Sequence, residues 1–195
     1  NIRDCKLNVM DEWILSEYNK LEKYVKAELD QFHCTEPARA MQKFVDDLSN
    51  WYVRRSRKRF WVGGFNEDKQ AAYATLWYVL TNYAMLSAPF TPFISEEIYQ
   101  NLYRPFFKDA PVSIHLTVKE ENNASVNEQL NKDMELTYAY TELGRSARNL
   151  SNLKIRQPFA KLYLTDAQNQ TMLGEDFVNI LKEELDVREV VRNAN

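Results

Sequence analysis

Residues 44–61 read FVDDLSNWYVRRSRKRFW, a stretch in which one helical stripe changes from apolar to cationic. At about 100° per residue, a helix places four apolar and aromatic side chains on one face: Phe44, Leu48, Trp51 and Tyr52. Arg55 and Arg59 continue that stripe, and Lys58 lies beside it. The stretch therefore predicts a helix that packs into a core along its first half and carries cations along its second half.

Five cations fall within the six residues 54–59, although the chain as a whole has a formal net charge of −3. Such a run is often a solvated helix end, where Lys and Arg complement the helix dipole. Two buried arginines without partners would be costly, so there are two alternatives. Either the helix passes beyond its core and offers its basic end to a ligand, or carboxylates from elsewhere pair with it. Five cations favour the first alternative, and the flanking aromatic rings favour a nucleic acid as the ligand.

The composition predicts a mainly helical protein. Its 195 residues suffice for one domain or two small ones, and only 4 of them are glycine. No run of about 18 apolar residues is present, so no transmembrane span is predicted. The polar start is unlike a signal peptide and lacks an initiator Met. We therefore expect a cytoplasmic protein that is processed or excised from a longer chain.

Apolar residues at helical spacing predict four helices in the first half of the chain. The first three cover about 10–32, 35–61 and 66–87. Thr35 is the expected cap of the second helix, Gly63 and Gly64 are expected to stop it, and Asn66 is the expected cap of the third. A shorter helix is expected to restart at Thr91 and Pro92.

The second half is predicted to be less uniform. Residues 105–123 are expected to be irregular, with a short extended segment at 112–118. A long helix over about 126–153 is predicted to present an apolar seam: Leu136, Tyr140, Leu143, Ala147 and Leu150. After Pro158, alternation predicts a strand, a helix over 177–185 and a second strand over 187–191. The predicted architecture is an α-helical bundle over 1–153, followed by a small mixed α/β appendage over 154–195.

The chain carries no recognisable catalytic or metal-binding pattern. No Gly-rich phosphate loop, nucleophile elbow or zinc-protease motif is present. Two cysteines without C-x-x-C spacing and two histidines do not make a metal site. Three pairs of adjacent carboxylates occur, but neighbours on a helix do not face each other: Asp46-Asp47, Glu96-Glu97 and Glu183-Glu184. We therefore expect a binding domain, or part of an enzyme whose chemistry lies elsewhere.

Several longer motifs resemble the anticodon-binding helical domain of class I aminoacyl-tRNA synthetases. Residues 11–19, DEWILSEYN, are similar to the D-x-W-I-L-S-x-x-N opening of that domain. Residues 88–99 are similar to its A-P-F-x-P-F-x-x-E-E-I-Y element, and SIHL at 113–116 is similar to its S-V-H-L segment. The matches are collinear and span nearly the whole chain, which makes them more specific together than any one alone.

Three further stretches resemble the isoleucyl members of this family. The NWYVRRSR sequence at 50–57 looks like their N-x-W-Y-V-R-R-S-R text, which valyl and leucyl members do not keep as a rule. LKIRQP at 153–158 resembles L-K-V-R-Q-P, and ELDV at 184–187 resembles E-L-N-V. Glu17, where the family often has arginine, and Phe159, where leucine is usual, depart from the pattern.

The resemblance implies a fragment of an isoleucyl-tRNA synthetase that binds the anticodon side of the tRNA for isoleucine. The parent enzyme would use ATP and Mg²⁺ in a catalytic domain with H-I-G-H and K-M-S-K-S motifs, which this sequence lacks. The fragment alone is therefore expected to be inactive and to need no cofactor. The expected partners are this tRNA and the synthetase's own catalytic domain, with no DNA and no membrane. The alternative is a structural module that docks on the catalytic domain without touching tRNA.

Cations and aromatic residues in two patches are candidates for RNA contact. On the basic helix, we expect phosphate contacts from five cations: Arg54, Arg55, Arg57, Lys58 and Arg59. Trp61, Phe60 and Trp51 are candidates for base stacking, although Trp51 shares the apolar stripe and is expected in the core. A second patch is expected from four cations: Arg145, Arg148, Lys154 and Arg156. For Arg145 and Arg148, pairing with carboxylates of the bundle is an equal alternative.

Overall fold

The first helix begins where the sequence supplies a complete cap. A computed structural model describes residues 2–118, 124–154, 157–164 and 173–192, and α1 spans Val9–Asp30. The Asn8 side chain accepts hydrogen bonds from the Met10 and Asp11 amides at 2.9 and 3.0 Å. The Asp11 carboxylate returns the bond by accepting from the Asn8 amide at 3.1 Å. This reciprocal capping box fixes the N-terminal end of α1 within one residue of the predicted start.

The second predicted helix is continuous but not uniform. It comprises α2 (Thr35–Asp47), a π-helical segment (Leu48–Val53) and α3 (Arg54–Trp61). The π turn was not predicted, because apolar spacing cannot reveal one extra residue in a turn. The expected cap was wrong by one position: Cys34 occupies the cap site, and its side chain makes no capping hydrogen bond. The chain turns away at Gly64, whose φ of 77° favours glycine.

Two further helices complete the first half. The third prediction is confirmed by α4 (Glu67–Ser87), where Asn66 accepts from the Lys69 amide at 2.8 Å. The fourth is confirmed by α5 (Pro92–Leu102), which begins at a proline. Both helices pack together, and α4 also contacts α1 and α3. The buried aromatic residues of the first helices are Trp13, Tyr18, Phe44, Trp51 and Tyr52. Tyr99 of α5 lies in a cluster of its own with Ala84, Ala88 and Ile114.

The segment after α5 is not extended as predicted. Residues 112–118 contain a 3-10 turn, Ile114–Leu116, in place of the expected extended segment. The reason is that side chains of α5 form hydrogen bonds with the polar groups of this segment. Glu96 Oε2 accepts from the Ser113 hydroxyl at 2.8 Å and from the Ile114 amide at 2.9 Å. The Tyr99 hydroxyl donates to the Pro111 carbonyl at 2.8 Å, so no neighbouring strand is required.

The C-terminal part forms a β–α–β arrangement, as the sequence predicted. Strand β1 (Phe159–Leu164) pairs in parallel with β2 (Val187–Arg192), with Phe159 opposite Val187. Helix α7 (Glu175–Leu185) connects them and ends at Asp186, a left-handed residue with φ 48°. The structure confirms the predicted fold class, a mainly α protein with a small α/β appendage.

Helix α6 (Glu128–Leu150) buries a different face from the predicted seam. Leu143 and Leu150 are 64% and 84% exposed. The buried side chains are instead a mixture of apolar and polar groups: Leu130, Asn131, Met134, Thr137, Thr141 and Arg148. Threonines can be buried on this face because each hydroxyl donates a hydrogen bond to a backbone carbonyl one turn earlier. For example, the Thr141 hydroxyl donates to the Thr137 carbonyl at 2.9 Å.

The chain divides into two compact units, Asn1–Asn127 and Glu128–Asn195. In the second unit, α6 packs against α7. The predicted domains 1–153 and 154–195 differ from this grouping in the placement of α6, and they stay a prediction. Among the helices within the described ranges, none has the length and apolar character needed to cross a membrane.

Gly144→Ala is expected to destabilise the second unit. A Cβ at this position would lie 2.6 Å from Cδ1 of Leu185, which is only 2% exposed. Overpacking costs about 1–3 kcal/mol, against about 1 kcal/mol gained from helix propensity. Hydrogen exchange of α6 and α7 amides should therefore accelerate. Gly63→Ala is the matched control, because nothing lies within 4 Å of its new Cβ. Unchanged protection in Gly144→Ala would show that the helices do not need this close approach.

The attachment of residues 111–117 to α5 should weaken at acid pH. The Gln100 amide, helped by the Ser113 hydroxyl and the Ile114 amide, lowers the pKa of Glu96 below its usual value. A carboxyl group with a lowered pKa in the folded state stabilises it above the unfolded pKa of about 4.3 and loses that effect as the pH falls. Amides at 113–117 should therefore lose protection below about pH 4.

Glu96→Gln should lower that protection already at pH 7 and remove its dependence on pH in the acid range. Glu97→Gln is the control, because the Glu97 carboxylate bonds within α5 to Asn101, at 2.8 Å. Equal behaviour of the two variants would contradict the assignment to Glu96.

Candidate nucleic-acid interface

The second half of the long helix presents three cations and one indole to solvent. Arg54, Arg57 and Lys58 are exposed on α3, and Trp61 is 77% exposed. The Arg57 guanidinium carbon lies 5.5 Å from the centroid of the Trp61 ring. We call these four residues the α3 basic face. A cation beside an exposed indole combines a phosphate ligand with a stacking surface.

The loop after α3 adds aromatic surface. Phe65 follows the two glycines and is 72% exposed. Lys69 Nζ donates to the Val62 carbonyl at 2.8 Å and so ties this loop to α4. Phe65 was not among the residues predicted from the sequence. Its position beside Gly63 and Gly64, where a chain is exposed, was the available signal.

The three predicted stacking candidates have different environments. Trp51 is 3% exposed and belongs to the core, as its position on the apolar stripe predicted. Phe60 is half-buried and packs edge-on against Tyr73, with ring centroids 5.1 Å apart. Trp61 is the candidate whose ring is open to solvent.

The five predicted phosphate ligands do not form one equivalent set. Arg54, Arg57 and Lys58 are exposed, and Arg54 also donates from Nε to the Asn50 carbonyl at 2.7 Å. Arg55 is half-buried. The Arg59 side chain is only 13% exposed, so it differs most from the members of the basic face.

Arg59 forms a two-pronged ion pair with a carboxylate of α1. Its Nη1 donates to Asp11 Oδ1 at 2.9 Å, and its Nη2 donates to Asp11 Oδ2 at 2.7 Å. Its Nε donates to Asp68 Oδ1 at 2.9 Å, and Nη2 also reaches the Asp68 carbonyl at 3.1 Å. Four of the five N–H groups of this guanidinium are thus engaged. For Arg59, the pairing alternative describes the observed contacts, and its predicted RNA contact stays a prediction.

Asp11 is fully buried, and each of its carboxylate oxygens accepts two hydrogen bonds. Besides the Arg59 fork, Oδ1 accepts from the Tyr52 hydroxyl at 2.7 Å, and Oδ2 accepts from the Asn8 amide at 3.1 Å. Burial, followed by the charge of Asp11, raises the pKa of the Tyr52 hydroxyl. Tyr52 therefore remains a proton donor to the carboxylate.

Arg145, the first residue of the second predicted patch, is engaged within its own unit. Arg145 Nη2 donates to Glu184 Oε2 at 2.5 Å, and Nη1 to Glu142 Oε1 at 3.4 Å. Pairing with carboxylates was the alternative weighed for Arg145. Because Glu184 is largely buried while Arg145 is one-third exposed, this pair lies at the edge of the unit.

Arg148 is buried and binds backbone carbonyls. Nη1 donates to the carbonyls of Lys154 and Gln157 at 3.1 and 2.8 Å, and Nη2 donates to the carbonyl of Leu185. The guanidinium also lies over the Phe159 ring, 4.4 Å from its centroid. Lys154 itself is exposed, and the predicted contact at Arg156 falls outside the described residues. The RNA contacts of all four cations in this patch stay a prediction.

The described residues offer little support for a different kind of site. In those ranges, no group of three or more His, Cys, Asp or Glu side chains is arranged to hold a metal ion. Cys5 and Cys34 are not joined in a disulfide. One of the adjacent carboxylate pairs is engaged by a helical neighbour, since Lys43 Nζ donates to Asp47 at 2.6 Å. The α3 basic face is therefore the candidate site.

Comparison with known proteins identifies one matching family and several similar tRNA ligases. A family described as "Anticodon-binding domain of tRNA ligase" matches residues 11–164. The chain is 46% identical to isoleucine–tRNA ligase of Clostridium novyi over 189 residues, which cover 96% of the chain and 18% of that protein. It is 41% identical to isoleucine–tRNA ligase 2 of Bacillus cereus over 95% of the chain and 17% of that protein. The chain thus spans less than one fifth of the length of these relatives.

Proposed function

Because this chain belongs to the family of anticodon-binding domains of tRNA ligases, we propose that it binds the anticodon side of a tRNA. The similarity to isoleucine–tRNA ligases supports an isoleucine-accepting tRNA as the partner. On this proposal the chain acts within a ligase that joins isoleucine to that tRNA. The ATP and Mg²⁺ of that reaction would serve the whole ligase and not the surface described here.

The α3 basic face is the observation that carries this proposal. Arg54, Arg57 and Lys58 would neutralise phosphates, since each cation is exposed and lies on one short helix. Trp61 would stack on an unpaired base of the anticodon loop, because its ring is 77% exposed. A net-acidic chain can bind a polyanion only through such a local concentration of positive charge.

A second candidate function is docking on the catalytic part of the same ligase. The observation that favours it is apolar exposure at the start of α5, where Phe93 is 91% and Ile94 57% exposed. Adjacent apolar side chains of this size usually contact another protein surface. The two functions use different faces, so they are compatible.

Arg57→Ala combined with Lys58→Ala should weaken binding of an isoleucine-accepting tRNA transcript and flatten its salt dependence. Each lost phosphate contact reduces the slope of log affinity against log salt by about 0.7–0.9, so the double variant should lose about 1.4–1.8. Fluorescence anisotropy from about 50 to 200 mM salt measures both quantities. Lys23→Ala with Lys132→Ala removes the same charge from exposed positions outside the basic face and should change the slope little. An unchanged affinity and slope in the first variant would refute the phosphate role.

Trp61→Ala should weaken tRNA binding without flattening the salt dependence. Stacking of one base contributes about 1–3 kcal/mol and releases no counterion. Trp61→Phe should keep a large part of the affinity, because phenylalanine also stacks. The same affinity measurements at several salt concentrations separate the two effects. If Trp61→Ala binds as well as the unchanged chain, the indole has no role in base stacking.

A further inference from the structure

Arg59 and Asp11 form an ion pair that joins the end of α3 to the start of α1. The Asp11 carboxylate lies in the first turn of α1, and the Arg59 guanidinium lies in the last turn of α3, 48 positions along the chain. Both prongs of the fork are short, at 2.9 and 2.7 Å. A planar guanidinium bound at two points to a carboxylate fixes its orientation as well as its distance.

The same carboxylate also holds the segment that precedes α3. The Tyr52 hydroxyl, on the π-helical segment, donates to Asp11 at 2.7 Å and reaches the Ala72 carbonyl of α4 at 3.2 Å. Tyr52 and Arg59 therefore fasten the preceding turn and the last turn of α3 to a single buried anion. Because Arg59 also binds Asp68 in the first turn of α4, the far end of α3 is attached on two sides.

The residues of the basic face lie on the same short helix as this anchor. Arg57 and Lys58 directly precede Arg59, and Trp61 follows it by two positions. Gly63 and Gly64 follow soon after Trp61, and a Cβ added at either glycine would meet no other atom within 4 Å. The orientation of the exposed cations therefore depends on the helical turns that precede α3 and on contacts made by the buried side of α3.

We propose that the Asp11–Arg59 ion pair, with Tyr52, positions the α3 basic face for RNA, and that Arg59 is a positioning residue and not a phosphate ligand. This inference rests on the tRNA-binding function proposed above. If Arg59 turned outward to a phosphate, the fully buried Asp11 carboxylate would lose its cation, which is strongly unfavourable. The exposed cations can bind phosphate without such a loss.

Asp11→Asn distinguishes a positioning role of the ion pair from an effect of charge alone, because the two predict opposite changes in tRNA affinity. If charge alone governed binding, removal of a negative charge would strengthen the attraction to a polyanion. If the pair positions α3, the variant weakens the fork, and tRNA affinity should fall about tenfold, as for a lost specific contact. The salt slope should also flatten by about one unit although no cation has been removed.

Arg59→Lys tests the same inference at constant charge. A phosphate ligand replaced by lysine would keep its charge and the salt slope. A positioning residue loses its two-pronged contact, so affinity and slope should both fall. Glu67→Gln is the matched control: it removes an exposed carboxylate from the same first turn of α4 and leaves both carboxylates that bind Arg59 in place. Its tRNA affinity should stay the same or rise slightly.

Folding must be separated from positioning. Circular dichroism gives the folded fraction of each variant at the temperature of the binding assay, and affinities are corrected for it. Tyr52→Phe, which removes one hydrogen bond to Asp11 and no charge, is the milder variant and should show a smaller loss in the same direction. It carries the test if Asp11→Asn does not fold.

The outcomes also separate this inference from the proposed function. If Arg57→Ala with Lys58→Ala weakens tRNA binding while Asp11→Asn and Arg59→Lys leave it unchanged or stronger, positioning is wrong and the tRNA function stands. Positioning is equally wrong if the loss in these two variants disappears after correction for the folded fraction. If the Arg57 and Lys58 variant has no effect, the proposed function fails first. Support for positioning is a loss that is smaller for Arg57→Ala with Lys58→Ala in the Asp11→Asn background than in the unchanged chain.

Discussion

A single buried carboxylate joins three elements of the first unit of this protein. Asp11 closes the capping box of α1 with Asn8. Its two oxygens also accept hydrogen bonds from the Tyr52 hydroxyl and from the Arg59 guanidinium. An anion without solvent contact is stable in a protein interior only if such donors surround it. Removing any one donor leaves the rest of the cluster under-satisfied. The start of α1, the π-helical segment and the end of α3 are therefore fixed by one set of hydrogen bonds.

Arginine has two roles in this chain, and burial separates them. Arg59 and Arg148 are largely buried, and each is surrounded by oxygen acceptors: carboxylates around Arg59, and backbone carbonyls around Arg148. Arg57 is exposed and lies over an indole. A guanidinium fits both settings because its fork satisfies several acceptors at once and its flat face stacks on rings. A local excess of positive charge thus contains residues that hold the fold as well as residues that face solvent.

The proposed function follows from this division. Helix α3 is the last eight residues of a continuous helix over 35–61, so its direction is set by the turns that precede it and by what its buried side contacts. The buried side of α3 is anchored to α1 and α4, while the exposed side carries the cations and the indole. The family membership supports tRNA as the ligand, and the geometry supports different roles for the buried and the exposed cations of residues 54–59. The exposed apolar residues at the start of α5 lie on a different element and favour a protein contact there.

The sequence by itself determined the helix positions, the β–α–β segment, the burial of Trp51 and the family. These follow from local periodicity, caps and turn residues, which act over a few positions. Only the tertiary structure decided that α6 buries its threonines instead of Leu143 and Leu150, that Ile114–Leu116 is a 3-10 turn, and that Arg59 pairs with Asp11. The physical reason is that each of these depends on a partner distant in sequence or on groups that satisfy a backbone from outside. The number of cations in residues 54–59 could be read from the sequence, but which of them are buried could not, because the carboxylate that allows Arg59 to be buried lies 48 residues away.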